Sequence, residues 1–158
     1  KMSDLYFDES VIHLNLEGDT KEDVLTEMGR HLVSKGLVKE SFINAIIARE
    51  GEFPTGLPTA GIAVAIPHTD VEHVNRKTIS VGVLKNAVDF GVMGDDSKTT
   101  PVRLVFMLAM DEAHAQLSLL QSLSNIFQDE DTLKSLVEAK DKTNVKQILE
   151  EKLSLITL

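Results

Sequence analysis

One short segment constrains the fold of this chain more than any other. It is the apolar run at residues 62–66, which is followed at once by Pro67 and His68. Turn-forming residues bound the run, which is typical of a buried strand. Pro67 has no N–H to give to a sheet and fixes its own φ, so the strand must end there. His68 is therefore predicted at the carboxyl end of a strand, the edge at which ligands bind in open α/β sheets.

The residues upstream of this strand suit the handling of a phosphoryl group. Arg49 and Glu50 close a helical pattern, and Thr55 and Gly56 follow in a loop rich in glycine and proline. A guanidinium, a hydroxyl and backbone N–H groups are donors for phosphoryl oxygens. A neutral imidazole is a nucleophile near neutral pH, so His68 is the predicted phosphoryl acceptor.

Apolar patterns elsewhere predict further strands. Alternation predicts a strand at 11–16, in which His13 lies on the polar face as a surface residue. Alternation also predicts strands at 78–84 and 88–90, with a loop at 93–98. The nearly continuous apolar run at 102–110 indicates a central strand covered on both faces.

Helical periodicity fills most of the intervals between these strands. Thr20 and Asp23 form a capping-box pattern ahead of a helix that ends at Gly36. Four more helices are predicted, from 39 to 49, after 111, and over 131–139 and 143–153. In the helix after 111, the predicted buried stripe consists of Leu117, Leu120, Leu123 and Phe127, widened by Leu119 and Ile126.

This order of elements predicts the fold class. Strands that alternate with helices indicate a three-layer α/β sandwich, with a small, mixed, mostly parallel sheet flanked by helices on both faces. The length of 158 residues fits one domain spanning 1–158.

His114 is a second candidate for binding an anion. It lies in the first turn of the helix opened by Asp111 and Glu112. The free N–H groups and the positive end of the dipole at a helix N-terminus attract anions.

Charge and composition narrow the function classes. The formal net charge of −9 argues against a nucleic-acid partner, whose phosphates require a basic face. The chain has no cysteine, which is compatible with a reducing compartment. No apolar leader follows Lys1, and no apolar run approaches the ~20 residues of a membrane span. We therefore expect a cytoplasmic protein that does not insert into a membrane.

The motif R-E-(x)n-T-G-(x)n-A-I-P-H, from Arg49 to His68, resembles a known family. It is similar to the enzyme IIA (EIIA) domains of the bacterial sugar phosphotransferase system, of the mannitol/fructose type. The sequence FPTGL…VAIPHTDVEHV is most similar to that of the galactitol-type branch. The resemblance extends over most of the chain, from the first predicted helix to the helices after His114.

The resemblance implies a mechanism and partners. The phosphorylated carrier protein HPr would dock, and His68 would take its phosphoryl group. The phosphoryl group would then pass to the cysteine of an enzyme IIB, which serves the membrane permease IIC. No metal or nucleotide cofactor is implied, because the donor is already a phosphohistidine. The site would be shallow, with an apolar rim.

The resemblance also implies roles for the neighbours of His68. Arg49, Thr55 and His114 would stabilise the charge on the phosphoryl oxygens, and Glu50 would orient Arg49 or a ring nitrogen of His68. The family has a second histidine at the start of a helix. It is carried over to His114, although a shift of a residue or two would bring Gln116 into part of that role.

The two residues after His68 depart from the family pattern, in which glycine is common. Thr69 and Asp70 stand there instead. Thr69 would donate to the phosphoryl oxygen or help to hold the tautomer of His68. Asp70 would hold the tautomer or repel a dianion, and the sequence is compatible with either.

Two other functions compete with this hypothesis. His68, Asp70 and His73 are acceptable metal ligands, as in a metal-dependent hydrolase. On a helix, however, the two histidines would diverge by about 140° at ~100° per residue. The other alternative keeps the fold but makes the protein a regulator that signals its phosphorylation state by binding other proteins.

Overall fold

A computed structural model describes residues 5–157, and side chains up to residue 153. The first four residues, on which part of the predicted absence of a leader rests, lie outside this range. The strands are β1 (Ile12–Leu16), β2 (Gly56–Leu57), β3 (Ala63–Ala65), β4 (Thr78–Val92) and β5 (Asp95–Ala109). The helices are α1 (Lys21–Ser34), α2 (Ser41–Glu52), α3 (Ala113–Phe127), α4 (Glu130–Glu138) and α5 (Lys142–Thr157). Short 3-10 turns occupy Glu9–Val11 and Val71–His73.

The five described strands form one mixed sheet. β4 pairs in parallel with β1 and β2 and antiparallel with β5. β3 pairs in parallel with β5 and antiparallel with β2. The longest pairing is the antiparallel β4–β5 ladder, so the β4–β5 hairpin contributes most of the cross-strand pairing in the sheet.

Helices cover both faces of this sheet, which confirms the predicted sandwich. Alternate residues of β5 divide between the two faces. Val105 and Met107 pack in the core beneath α1 and α2. Leu104 and Phe106 pack in the core beneath α3, α4 and α5. Burial on both faces explains why this strand is almost continuously apolar.

Local sequence signals define both ends of α1. The Thr20 hydroxyl accepts from the Asp23 N–H, and the Asp23 carboxylate accepts from the Thr20 N–H, so the predicted capping box is present. Gly36 has a φ of 73°, a conformation that glycine adopts without a Cβ penalty. It follows the end of α1, as predicted.

The hairpin differs from the sequence prediction in two respects. The predicted strands at 78–84 and 88–90 are one strand, β4, with a register irregularity between Val83 and Val88. The predicted loop at 93–98 is also wrong, because β5 already begins at Asp95. The chain reverses within Met93–Gly94, where Gly94 has a φ of 81°. Cross-strand hydrogen bonds stabilise these polar residues as a strand, which their local pattern does not indicate.

Two side chains lie elsewhere than predicted. Leu117 was expected on the buried stripe of α3 but is 56% exposed, whereas Ala115 is buried. His13 was expected at the surface but is half-buried, and its Nε2 is buried without a hydrogen-bond partner. The His13 ring makes an edge contact with His31 of α1, with 5.0 Å between the ring centroids. Tertiary packing against α1 therefore overrides the alternation that predicted a surface position.

Candidate functional site

The His68 ring is fixed by its own backbone. β3 ends at Ala65, and the Nδ1 atom of His68 lies 2.8 Å from the carbonyl oxygen of Ile66. A carbonyl oxygen can only accept a hydrogen bond, so Nδ1 must carry the proton and Nε2 the lone pair. The Leu108 N–H donates to the Pro67 carbonyl oxygen at 3.0 Å, which ties this turn to β5. The rigid Ile66–Pro67 segment therefore presents Nε2 as the free nitrogen.

The surroundings of His68 favour the neutral ring. Burial lowers the pKa of His68, and the positive charge of Arg49 lowers it further. The hydrogen bond to the Ile66 carbonyl acts in the opposite direction and raises the pKa. The net pKa lies below the ordinary 6.5, so the imidazole has an available lone pair at neutral pH.

Arg49 lies in the last turn of α2, as predicted, and its charge reaches His68. Its guanidinium lies 5.2 Å from the centroid of the Phe53 ring, a cation–π arrangement. Nη1 is 3.9 Å from Oδ1 of Asp70, whose side chain is 71% exposed. So long and exposed an ion pair is weak, and it leaves the guanidinium able to bind an anion.

Glu50 lies on the buried side of α2, with only 2% of its surface exposed. Its carboxylate accepts from the Thr55 N–H at 2.7 Å and from the Thr55 hydroxyl at 2.8 Å. Burial raises the pKa of Glu50 to about 7, although both bonds from Thr55 lower it. Glu50 therefore fixes the loop that precedes Gly56.

Thr55 and Thr69 are both buried near His68. The Thr55 hydroxyl oxygen also accepts from the Ile66 N–H at 3.2 Å, which joins the loop to the residue that holds His68. Thr69 follows His68 directly and is 5% exposed. Its position is compatible with the predicted role beside the phosphoryl group.

His114 lies in the first turn of α3 and is exposed. Within the described residues, no hydrogen bond or ring contact joins it to His68. Helical spacing places it with Ser118 and Gln121, toward solvent. Gln116 instead shares a face with the buried Leu119 and Leu123, and its Oε1 is buried without a partner.

The rim of the site carries exposed apolar side chains. Phe53 is 55% exposed beside Arg49. Met93 is also exposed, and its N–H donates to the Gly56 carbonyl oxygen at 2.8 Å, so the tip of the β4–β5 hairpin adjoins the Thr55 loop. The open site with an apolar rim stays a prediction, and Phe53 and Met93 are the exposed apolar side chains that would form the rim.

Comparison with known families identifies the family of this chain. The family model described as "Phosphoenolpyruvate-dependent sugar phosphotransferase system, EIIA 2" matches residues 5–152. The chain belongs to this EIIA family. It is therefore a phosphotransferase component of the class that transfers phosphoryl groups by way of a phosphohistidine.

Individual EIIA proteins support the assignment. The chain is 35% identical over 117 residues to the galactitol-specific EIIA component of Escherichia coli K12, covering 74% of this chain and 77% of that protein. It is 30% identical over 136 residues to the fructose-specific EIIA component of Haloferax volcanii, covering 84% of each. Among solved structures, the complex of mannitol enzyme IIA with phosphorylated enzyme IIB from E. coli matches with a TM-score of 0.76 and 27% identity. This match covers 93% of this chain and 99% of that one.

The positions of the described side chains do not support the metal-site hypothesis. His73 Nδ1 lies 2.8 Å from the Ser41 hydroxyl, and Asp70 lies beside Arg49. Between residues 5 and 157, no group of three or more histidine, aspartate or glutamate side chains is placed to hold a metal ion. Across the same residues, no helix is both long and apolar enough to span a bilayer.

Sequence reasoning missed one member of the site, the Ile66 carbonyl. A main-chain acceptor has no side-chain signature. The only available signal was the spacing, because a histidine two residues after a carbonyl, with proline between them, has few conformations to adopt. The partnership of Glu50 with Thr55, rather than with Arg49 or a ring nitrogen, also required the tertiary structure.

Proposed function

We propose that this protein is an EIIA phosphocarrier that accepts a phosphoryl group from phosphorylated HPr on His68 and passes it to an enzyme IIB. The observation that carries this proposal is the hydrogen bond of His68 Nδ1 to the Ile66 carbonyl, which leaves Nε2 as the nucleophile. The adjacent Arg49 supplies positive charge where the phosphoryl oxygens would lie.

The transfer is a pair of in-line displacements at phosphorus. In the first, the Nε2 lone pair of His68 attacks, and the P–N bond of the donor phosphohistidine breaks. The bonding electrons return to the donor nitrogen. The Nδ1 proton stays on His68, where the Ile66 carbonyl stabilises the ring while it carries the phosphoryl group.

The second displacement regenerates the free imidazole. The thiolate of the IIB cysteine attacks phosphorus, the P–Nε2 bond breaks, and its electrons return to Nε2. Arg49, Thr69 and Gln116 stabilise the equatorial oxygens in both steps, whereas His114, on the exposed side of α3, acts only in the second step. Neither step requires a metal or nucleotide cofactor.

The partners and setting follow from the same proposal. The identity to a galactitol-specific EIIA component supports a galactitol-type IIB, which would serve a membrane permease IIC. The mannitol IIA–IIB complex supports direct docking of IIB on this fold. We assign the phosphocarrier to the cytoplasm, as one domain spanning 1–158.

Phosphorylation by a reconstituted donor chain tests the assignment of His68. The protein is incubated with phosphoenolpyruvate, enzyme I and HPr, and peptide mass spectrometry maps the added phosphoryl group. We expect the group on the peptide that contains His68 and its complete loss in His68→Ala. The control variant His73→Ala alters a histidine five residues away and should retain full phosphorylation. Full phosphorylation of His68→Ala would overturn the assignment.

Addition of the galactitol-type IIB and IIC components extends the test to transport. Labelled phosphate should move from His68 to IIB and then to the sugar. Label that reaches His68 but never IIB would favour the regulatory alternative.

A further inference from the structure

A buried series of hydrogen bonds connects Glu50 to the nucleophile. Glu50 Oε1 accepts from the Thr55 hydroxyl at 2.8 Å. The same hydroxyl oxygen accepts from the Ile66 N–H at 3.2 Å. The Ile66 carbonyl accepts from His68 Nδ1 at 2.8 Å. Three hydrogen bonds therefore link a carboxylate of α2 to a ring at the end of β3.

Each group in the series has its partner fixed by its chemistry. The hydroxyl of Thr55 has a single proton, which it gives to Glu50, so that its oxygen must accept from Ile66. An ionised carboxylate only accepts, and Glu50 receives both the hydroxyl and the N–H of Thr55. The Thr55 proton is therefore committed to Glu50 rather than to a phosphoryl oxygen.

We propose that Glu50 is a positioning residue that holds His68 in its nucleophilic orientation through Thr55 and Ile66, and that its carboxylate must be ionised to do so. This inference rests on the proposed function of His68. Protonation of Glu50 converts one acceptor oxygen into a donor, which leaves a Thr55 donor without its partner. The Ile66 segment is then no longer held in place by Thr55. As a result, the Ile66 carbonyl, which accepts from the His68 ring, is no longer fixed in position.

The charges around the two titrating groups make this dependence observable. Burial raises the pKa of Glu50 to about 7, with Lys21 of α1 lowering it and Glu22 raising it. The pKa of His68 lies below 6.5, and Arg49 is the charged group that faces it. Asp70 in turn lies 3.9 Å from Arg49. Transfer should therefore weaken near pH 7 through Glu50, before His68 itself becomes protonated.

The test is the rate of phosphorylation by phosphorylated HPr, measured across pH for the wild type and for Glu50→Gln. The ratio of the two rates is used because titration of the donor cancels in it. We expect Glu50→Gln to be about tenfold slower near pH 8, since a hydrogen bond to a charged group is lost. Below about pH 6 the ratio should approach one, because the wild type has then lost the same charge. A ratio that does not change with pH would overturn the proposal.

Matched variants separate positioning from folding. Glu52→Gln removes an exposed carboxylate from the end of the same helix and should leave the pH profile unchanged. Thr55→Ser keeps the hydroxyl and should retain the wild-type profile, whereas Thr55→Val should lose both the rate and the step near pH 7. If a folded Thr55→Val protein is phosphorylated as fast as Thr55→Ser, the Thr55 hydroxyl does not position His68, and the proposal is contradicted.

Nitrogen-15 NMR of the imidazoles gives a readout independent of catalysis. Wild-type His68 should show one tautomer, protonated at Nδ1, above pH 7. Glu50→Gln and Thr55→Val should show a mixture of tautomers. Unchanged tautomers in both folded variants would refute the positioning role. If the wild type takes no phosphoryl group at all, the proposed function fails, and the NMR result still decides the structural inference.

Discussion

His68 Nδ1 and the Ile66 carbonyl oxygen lie 2.8 Å apart and are separated in sequence only by Pro67. The proline fixes the backbone between donor and acceptor, so little conformational entropy is lost when the ring is oriented. The contact selects the tautomer that leaves Nε2 free. It thereby defines Nε2 as the ring nitrogen that would attack phosphorus in the proposed transfer.

Replacement of Arg49 should slow phosphoryl transfer without abolishing it. We expect Arg49→Ala to lower the rate of His68 phosphorylation about a hundredfold, because a preorganised cation is removed from the developing charge. Arg49→Lys keeps the charge but loses the planar fork, and should lower the rate about tenfold. The measurement is the initial rate with a fixed concentration of phosphorylated HPr. Arg30→Lys, on the exposed side of α1, is the control, and an Arg49→Lys protein as fast as this control would exclude a role for the fork.

The two polar residues in the first turn of α3 should differ in their contributions. His114→Ala should leave His68 phosphorylation intact and slow transfer to IIB a few-fold. Gln116→Ala should slow both steps by about tenfold, because it removes an amide N–H donor from the sheet-facing side of α3; the buried, unpartnered Oε1 can only accept and does not itself bind a phosphoryl oxygen. Single-turnover rates of the two steps check this order. Equal effects of the two variants on both steps would contradict it.

The burial of His13 should make the protein less stable in acid. Burial, with smaller contributions from the charges of His31 and Lys142, lowers the pKa of His13 to about 4. The unfolded chain takes up a proton near 6.5, so the free energy of unfolding should fall as pH drops from about 6.5 to 4, by about 3 kcal/mol at most. Urea unfolding across this range measures the slope. His13→Phe should flatten the slope, and an unchanged slope in this variant would contradict the assignment.

Two glycines near the site should respond in opposite ways to alanine. A Cβ at Gly56 would lie 2.5 Å from the Gly91 carbonyl oxygen, so β2 would have to move. We expect Gly56→Ala to lower the free energy of unfolding by about 1–3 kcal/mol and to slow His68 phosphorylation. A Cβ at Gly51 would meet nothing within 4 Å, so Gly51→Ala, within α2, should be neutral or stabilising by up to about 1 kcal/mol. Thermal unfolding compares the two, and equal stability of the variants would contradict this reading of the Gly56 contact.

The strong local signals predicted much of the fold. The capping box at Thr20, the glycine at position 36 and the apolar run of β5 each act within a few residues, so the sequence displays them directly. The first part of β5 was not predictable in this way. Its polar residues are extended because β4 pairs with them, and that partner is distant from the pattern that a sequence window reveals.

In the candidate site, too, some features were predictable from neighbouring residues and others depended on tertiary contacts. The Pro67–His68 step and the Arg49 helix end were apparent because each depends on adjacent residues. The outward position of His114 relative to Gln116, and outside the site the burial of His13 against His31, depend on how the helices pack against the sheet.

The sequence by itself determined that a histidine follows a buried strand after a rigid proline, with an arginine at a preceding helix end. Only the tertiary structure decided which ring nitrogen of that histidine is free, because a backbone carbonyl selects it. The tertiary structure also decided that Glu50 acts on Thr55, since the bond needs a loop folded back onto the buried side of α2. Residue types carry chemistry in the sequence, but the partner of a buried polar atom is set by the path of the chain around it.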